Sequence, residues 1–180
     1  MNSFEGIINF WFDEIDPVNW WKKDINFDQM ITDRFLTVHN MATQCVLYGW
    51  RDSPLGRLAE VIVLDQFSRN IYRDDTRSFL NDSLALCLAQ EAVRTGANRK
   101  LMNAEKAFLY MPFMHSESSM IHEIAVELFS EPGLESNLDF ELKHKSIIDQ
   151  FGRYPHRNEI LGRQSTPEEV KYLQESGSSF

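Results

Sequence analysis

The chain has 180 residues, which suits one domain with a substantial hydrophobic core. Its formal net charge of −9 at pH 7 argues against a nucleic-acid-binding protein, because such binding needs a basic surface that neutralises phosphates. No apolar run is long enough to span a membrane, and Cys45 and Cys87 stand alone without a disulfide framework. We therefore expect a globular cytoplasmic protein with no nucleic-acid or membrane partner.

The apolar residues recur at the helical period almost throughout the chain, which predicts an all-α fold. The first helix is predicted to begin after Ser3 and to be closed by Pro17. Residues 26–29 resemble a capping box and open a second helix, which is predicted to run to about Tyr48, with Gly49 as its stop.

A central helix is predicted to follow these two. Ser53 with Pro54 forms a typical helix start, and the helix is predicted to continue to Tyr72. Residues 61–64 are all apolar and cover every face of a helix, so this helix should lie in the middle of the fold.

Further helices are predicted in the second half of the chain. They comprise a helix from Ser78 to Arg94, one from Asn103 that Pro112 breaks or kinks, one from Ser119 to Phe129, one from Asn137 to Phe151, and a short one opened by Thr166. Seven or eight helices with short connections are expected to form a single all-helical domain over residues 1–180.

One short phrase occurs twice in this chain. Residues 65–73 and 149–157 share the pattern Asp-Gln-Phe-x-Arg-x-x-x-Arg. Residues four apart lie on nearly the same face of a helix, so each copy is predicted to place an Asp and two Arg along one edge. The arginines concerned are Arg69, Arg73, Arg153 and Arg157. Two such edges brought together would form an anion site, because the guanidinium fork suits carboxylates and phosphates. The alternative is a structural clasp in which Asp65 pairs with Arg69 and the arginines hold helix ends.

Two histidine-containing segments extend this hypothesis. Gly152 and Pro155 place His156 in a loop just after a helix, where ligand contacts are common. His115 and Glu117 follow a predicted helix break and could serve as acid and base, since histidine titrates near neutrality. Alternatively, Ser116 only caps the next helix and Glu117 only favours its N-terminal dipole.

The sequence indicates neither a metal site nor a cofactor. Glu141 and His144 match half of a di-iron carboxylate motif, but no second Glu-x-x-His occurs in the chain. No phosphate-binding loop, dinucleotide fingerprint or serine-hydrolase elbow is found either.

Four segments resemble one known family. They read LDQFSRNIYR (64–73), FLYMPFMHSE (108–117), FGRYPHRN (151–158) and LGRQST (161–166). In this order they resemble the bacterial domain-of-unknown-function family 924, and the likeness covers nearly the whole chain. Ser68 departs from the proline expected at its position. The resemblance implies a tetratricopeptide-like, all-helical α-α superhelix, and it implies no function.

Two functions therefore remain open from the sequence. The first is a protein whose pocket binds a small phosphorylated or carboxylated ligand through Arg69, Arg73, Arg153, His156 and Arg157. Turnover is an option in this hypothesis, with His115 as acid or base and Glu117 orienting it. The second is a helical adaptor that binds an acidic or C-terminal peptide of a partner protein. The closing residues 178–180 are predicted to dock against a folded surface, and the oligomeric state stays open.

Overall fold

Helices and short turns fill residues 3–175, the part of the chain that the computed structural model describes, and no strand occurs among these residues. The helices are α1 (Phe4–Asn9), α2 (Ile25–Thr43), α3 (Pro54–Ile62), α4 (Ser68–Ile71), α5 (Asp82–Arg94), α6 (Asn103–Met114), α7 (Ser119–Phe129), α8 (Glu135–Phe151) and α9 (Pro167–Leu173). A π-helical turn at Val63–Phe67 joins α3 to α4 without interruption. With these two counted as one, residues 3–175 contain eight helices, and the predicted all-α class is confirmed.

Helix α2 differs from its prediction at both ends. The residue that caps it is Asp24, whose carboxylate accepts hydrogen bonds from the backbone N–H groups of Asn26 at 2.9 Å and Phe27 at 3.3 Å. The helix stops at Thr43, because Cys45 lies in the left-handed region with φ 58° and ends the regular backbone hydrogen bonds there. The predicted start at Asn26 and stop at Gly49 were therefore both late.

The last two helices begin and end much as predicted. Gly152 follows α8 with φ 68°, a conformation that favours glycine because it has no Cβ. Thr166 caps α9, and the side chain of Glu169 accepts a hydrogen bond from the Thr166 backbone N–H in a capping box.

Pro112 does not break α6 at once: the helix continues through it and ends at Met114.

The core is built around α3 and the π turn that follows it. Residues 61–64 are fully buried, as their all-apolar pattern predicted. Helix α3 packs against α1, α5 and α6, and the π turn packs against α2. Aromatic rings fill the space between them, with the ring centroids of Phe10 and Phe35 at 4.7 Å and those of Phe35 and Phe67 at 5.0 Å.

Consecutive helices pair along the chain, α5 with α6, α6 with α7 and α7 with α8. This pairing is consistent with a tetratricopeptide-like arrangement, although the superhelix itself stays a prediction, as does the single domain over residues 1–180. In the described part of the chain, no helix has both the length and the apolar character needed to cross a membrane. The predicted docking of residues 178–180 lies outside the described residues.

Candidate functional site

An open cleft of about 480 Å³ lies where the end of α6, the start of α5 and the turn after α8 come together. Its polar and charged lining comprises Thr76, Arg77, Asp82, Ser83, His115, Ser116, Glu117 and Arg157. Its apolar lining comprises Phe79, Leu80, Leu86, Pro112 and Leu161. Three residues predicted to form a functional site, His115, Glu117 and Arg157, thus share one cleft.

A buried carboxylate beneath the cleft holds the imidazole of His115. Asp65 lies in the π turn and is 1% exposed. Its carboxylate accepts a hydrogen bond from Nδ1 of His115 at 2.7 Å and pairs with the Arg69 guanidinium at 3.0 Å. Burial opposes the charge on Asp65, but Arg69 and the hydrogen bond from His115 outweigh it, so the pKa of this carboxyl is lowered.

The surroundings of His115 favour the neutral form of its imidazole. Burial and the nearby Arg69 charge lower the pKa of His115, and they outweigh the opposite influence of Asp65. Nδ1 carries the proton and donates a hydrogen bond to Asp65, so the lone pair of this neutral imidazole is on Nε2. Nε2 makes no hydrogen bond to any residue within 3–175. His115 therefore presents a hydrogen-bond acceptor to the cleft.

One arginine from each copy of the repeated phrase meets at Asp82, the first residue of α5. Nη1 of Arg69 lies 3.0 Å from Asp82 Oδ1, and Nη1 of Arg157 lies 3.2 Å from Asp82 Oδ2. The pKa of Arg157 is lowered by its burial and by the Arg69 charge. Asp82 therefore compensates two cations at once, and it lies at the one point where the two copies converge.

Arg157 is the least satisfied arginine of this group. It is 6% exposed, and its guanidinium lies between the rings of Phe79 and Tyr154, at 4.7 Å and 4.6 Å from their centroids. Its Nη1 bonds Asp82, but its buried Nε has no hydrogen-bond partner. Its Nη2 likewise makes no hydrogen bond to a residue of the described range.

Other arginines of the chain show what this Nε/Nη2 edge usually does. Arg51 donates from Nε and Nη2 to Glu60, at 2.7 Å each. Arg153 uses the same edge on Glu169, at 2.6 Å and 2.8 Å. Such side-on pairs match the spacing of two carboxylate oxygens. In Arg157 neither nitrogen of this edge has such a partner within residues 3–175, and Nε is buried.

Glu117 has a different role from the orienting one predicted for it. Its carboxylate accepts from both terminal nitrogens of Arg163, at 2.6 Å and 2.9 Å, and from the backbone N–H of Tyr154 at 2.8 Å. The group that orients His115 is instead Asp65, and the residue that caps α7 is Ser118 rather than Ser116. Glu117 thus ties the turn after α8 to the end of α6, and its catalytic role stays a prediction.

The structure places the remaining predicted ligand residues outside the lining of the cleft. Arg73 forms a bidentate pair with Asp28, and Arg153 forms one with Glu169. His156 packs beside Tyr154 with ring centroids 5.4 Å apart, and burial followed by the Arg157 charge lowers the pKa of His156 to about 4.

The arginines do not share one helix edge because the helices end before the repeated phrases do. A common edge over eight residues needs a continuous helix, whereas α4 ends at Ile71 and α8 ends at Phe151. The second arginine of the first copy and both arginines of the second copy therefore leave the helical register. Ligand contacts for Arg73, Arg153 and His156 stay predictions.

Several residues of the site were not singled out from the sequence. Asp82 and Phe79 carry no local motif, and they meet Arg157 only through contacts between distant segments. Tyr154 lies inside the second copy of the phrase, but its contact with the Arg157 guanidinium was not predicted. The expectation that Asp65 needs a buried partner was the one available signal, but it indicated Arg69 and not His115. Within residues 3–175 no group of three or more His, Cys, Asp or Glu side chains is arranged to hold a metal ion.

Comparison with known proteins gives one family and one solved structure. The family described as bacterial protein of unknown function (DUF924) matches residues 7–177. The structure of the protein of unknown function ATU0120 from Agrobacterium tumefaciens is similar to this chain, with a TM-score of 0.91 and 36% sequence identity. The similarity covers 96% of this chain and 97% of that one. No curated protein matches.

Proposed function

This chain belongs to the DUF924 family of bacterial proteins of unknown function, as its motifs predicted, and we propose that it binds a small carboxylate or phosphate ligand in the cleft. In this proposal Arg157 binds the anionic group of the ligand. Arg69 supports Arg157 indirectly, because both arginines pair with Asp82.

The observation that carries the proposal is that Nε and Nη2 of Arg157 have no hydrogen-bond partner within residues 3–175. A buried donor without an acceptor, such as Nε of Arg157, costs about 1–3 kcal/mol. Native proteins therefore rarely leave such a donor unpaired. The rings of Phe79 and Tyr154 hold the guanidinium plane in place, which reduces the entropy lost when an anion binds. A bound carboxylate or phosphate would supply the two oxygens that Glu60 and Glu169 supply to the comparable arginines.

The size of the cleft supports a small ligand over a peptide. Its volume of about 480 Å³ lies within the range of about 300–1,000 Å³ that is usual for small-molecule sites. Its apolar residues can cover the carbon skeleton of a ligand, while a few polar groups fix the orientation. An adaptor for an acidic peptide would instead need a groove that follows several residues of extended chain.

Turnover of the bound ligand is a second candidate function, and one contact favours it. The 2.7 Å hydrogen bond from Nδ1 of His115 to Asp65 fixes the tautomer in which Nε2 can accept a proton. Because His115 and Arg157 line the same cleft, a ligand held by the arginine would lie near this base. His115 would then be the catalytic residue, and Asp65 would position it.

A cytoplasmic location remains part of this proposal. Cys45 and Cys87 are both free and exposed, which suits a reducing compartment better than an oxidising one.

A thermal-shift titration with inorganic phosphate, acetate and glutarate tests the proposal. At about 100 times its dissociation constant, a ligand should stabilise the native protein by roughly 2.7 kcal/mol. Arg157→Gln should abolish this shift, and Arg157→Lys should reduce it strongly, because lysine keeps the charge but loses the fork.

Arg94→Gln is the matched control, since Arg94 fills its own Nε/Nη2 edge with Glu91 on the surface. It should leave the shift unchanged. The proposal fails if none of these anions stabilises the native protein, or if Arg157→Gln and Arg157→Lys keep the full shift, as Arg94→Gln is expected to.

A further inference from the structure

Resting on the proposed function of this cleft, we infer that the ligand is a hydroxylated monocarboxylic acid. Its carboxylate would pair with the Nε/Nη2 edge of Arg157, which has no partner within residues 3–175, and its hydroxyl would donate a hydrogen bond to Nε2 of His115. Its carbon skeleton would lie against the apolar lining of the cleft.

The first step of the argument concerns hydrogen-bond polarity at His115. Asp65 accepts a hydrogen bond from Nδ1–H, so Nε2 of the neutral imidazole can only accept a hydrogen bond, and no residue within 3–175 donates one to it. A ligand carbonyl or carboxylate oxygen offers no donor at this position. A hydroxyl does, and it places its oxygen within reach of the same base.

The second step concerns charge. In and beneath the cleft, four arginines form ion pairs with four carboxylates: Arg69, Arg77, Arg157 and Arg163 with Asp65, Asp75, Asp82 and Glu117. The cluster is therefore neutral before a ligand enters. A monoanion adds one negative charge next to Asp82 and Glu117, whereas a phosphate dianion would add two, so the charge balance favours a carboxylate.

The third step concerns the rest of the lining. Phe79, Leu86, Pro112 and Leu161 supply apolar surface to the cleft. An aliphatic or aromatic carbon skeleton suits this surface, because its burial removes apolar area from water.

The test compares acids that differ only in the hydroxyl. Mandelate would be measured against phenylacetate, and 3-hydroxybutyrate against butyrate, by isothermal titration calorimetry on the full chain. In the native protein we expect the hydroxy acid of at least one pair to bind about tenfold more tightly than its partner.

Two variants of His115 separate the hydroxyl contact from folding. In His115→Asn the amide can still donate to Asp65, but nothing replaces Nε2. The tenfold preference should vanish, measured within this variant against its own affinity for phenylacetate and butyrate. In His115→Gln an amide oxygen can occupy the Nε2 position, so part of the preference should return.

The outcomes also distinguish this inference from the proposed function. Equal binding of hydroxy and deoxy acids by the native protein would overturn the inference, as would binding of inorganic phosphate alone, and the anion site would still stand. A preference that survives in His115→Asn would overturn it too. If no anion binds and Arg157→Gln changes nothing, both fail together.

Discussion

At the scale of single residues, several buried carboxylates are each paired with a basic group. Glu60 pairs with Arg51, Glu141 with Nδ1 of His122 at 2.6 Å, and Asp65 with both Arg69 and His115. The Asp65–Arg69 contact could be predicted, since the two residues are four apart on one helix. His115 could not be assigned to Asp65 in advance, because it lies fifty residues away and only the packing of α6 against α3 joins them.

Removing the charge of Asp65 tests this local account. Asp65→Asn leaves the Arg69 guanidinium largely buried with Asp82 as its remaining anionic partner, so we expect a loss of about 3 kcal/mol in the free energy of unfolding. Urea unfolding followed by circular dichroism measures it. Asp75→Asn is the matched control, because Asp75 also pairs with an arginine but at the exposed surface, and its midpoint should move far less. Equal midpoints for the two variants would contradict a structural role for the buried pair.

At the scale of helices and turns, the sequence predicted where most helices lie, but predicted their ends less well. Thr166 and Gly152 act as local signals, and both were identified correctly. Cys45 is not a residue type that usually marks a left-handed position, so the end of α2 was missed. The π turn that carries Asp65 also has no signature in the sequence, although such turns often occur at functional sites.

Helix α3 depends on a close backbone contact at Gly56. A Cβ added there would lie 2.0 Å from the carbonyl oxygen of Trp50, so backbone atoms would have to move. We expect Gly56→Ala to lower the free energy of unfolding by about 2–3 kcal/mol. Gly49→Ala serves as its control, because no atom lies within 4 Å of the added Cβ, and its stability should hardly change. The contact is unimportant if chemical denaturation gives the two alanine variants the same stability.

At the scale of the whole molecule, the topology brings the two copies of the repeated phrase together without making them equivalent. Arg69 and Arg157 reach the same Asp82, whereas Arg73 and Arg153 form ion pairs with Asp28 and Glu169. The pattern alone could predict that two arginine-bearing segments matter. Which arginines meet depends on where α4 and α8 end and on long-range packing, and neither is encoded in the phrase itself.

Buried histidines make the stability of the fold depend on pH. Burial lowers the pKa of His144 to about 3 and that of His156 to about 4, against about 6.5 for an unfolded chain. The unfolded state therefore binds more protons between these values, and the stability present above pH 6.5 is lost as the pH falls.

We expect the free energy of unfolding to fall by about 2–4 kcal/mol between pH 6.5 and pH 5, at most about 1.4 kcal/mol per pH unit for each histidine. Urea titrations at the two pH values measure this difference. The pKa of Glu169 is lowered from 4.5 to about 2, so the stability that this carboxylate contributes is lost mainly below pH 4.5. The histidines therefore dominate the change between pH 6.5 and pH 5. His156→Gln should reduce the slope, and a native protein equally stable at both pH values would refute the explanation.

The most direct test of the central claim is NMR observation of the arginine Nε–H groups during titration with acetate and then mandelate. The Nε–H resonance of Arg157 is identified by its loss in Arg157→Lys. Its chemical shift should change and then level off as the acid saturates the site, while the resonance of Arg94 stays in place. The account would be contradicted if the Arg157 resonance does not move, or if it moves no more than that of Arg94 over the same range of concentrations.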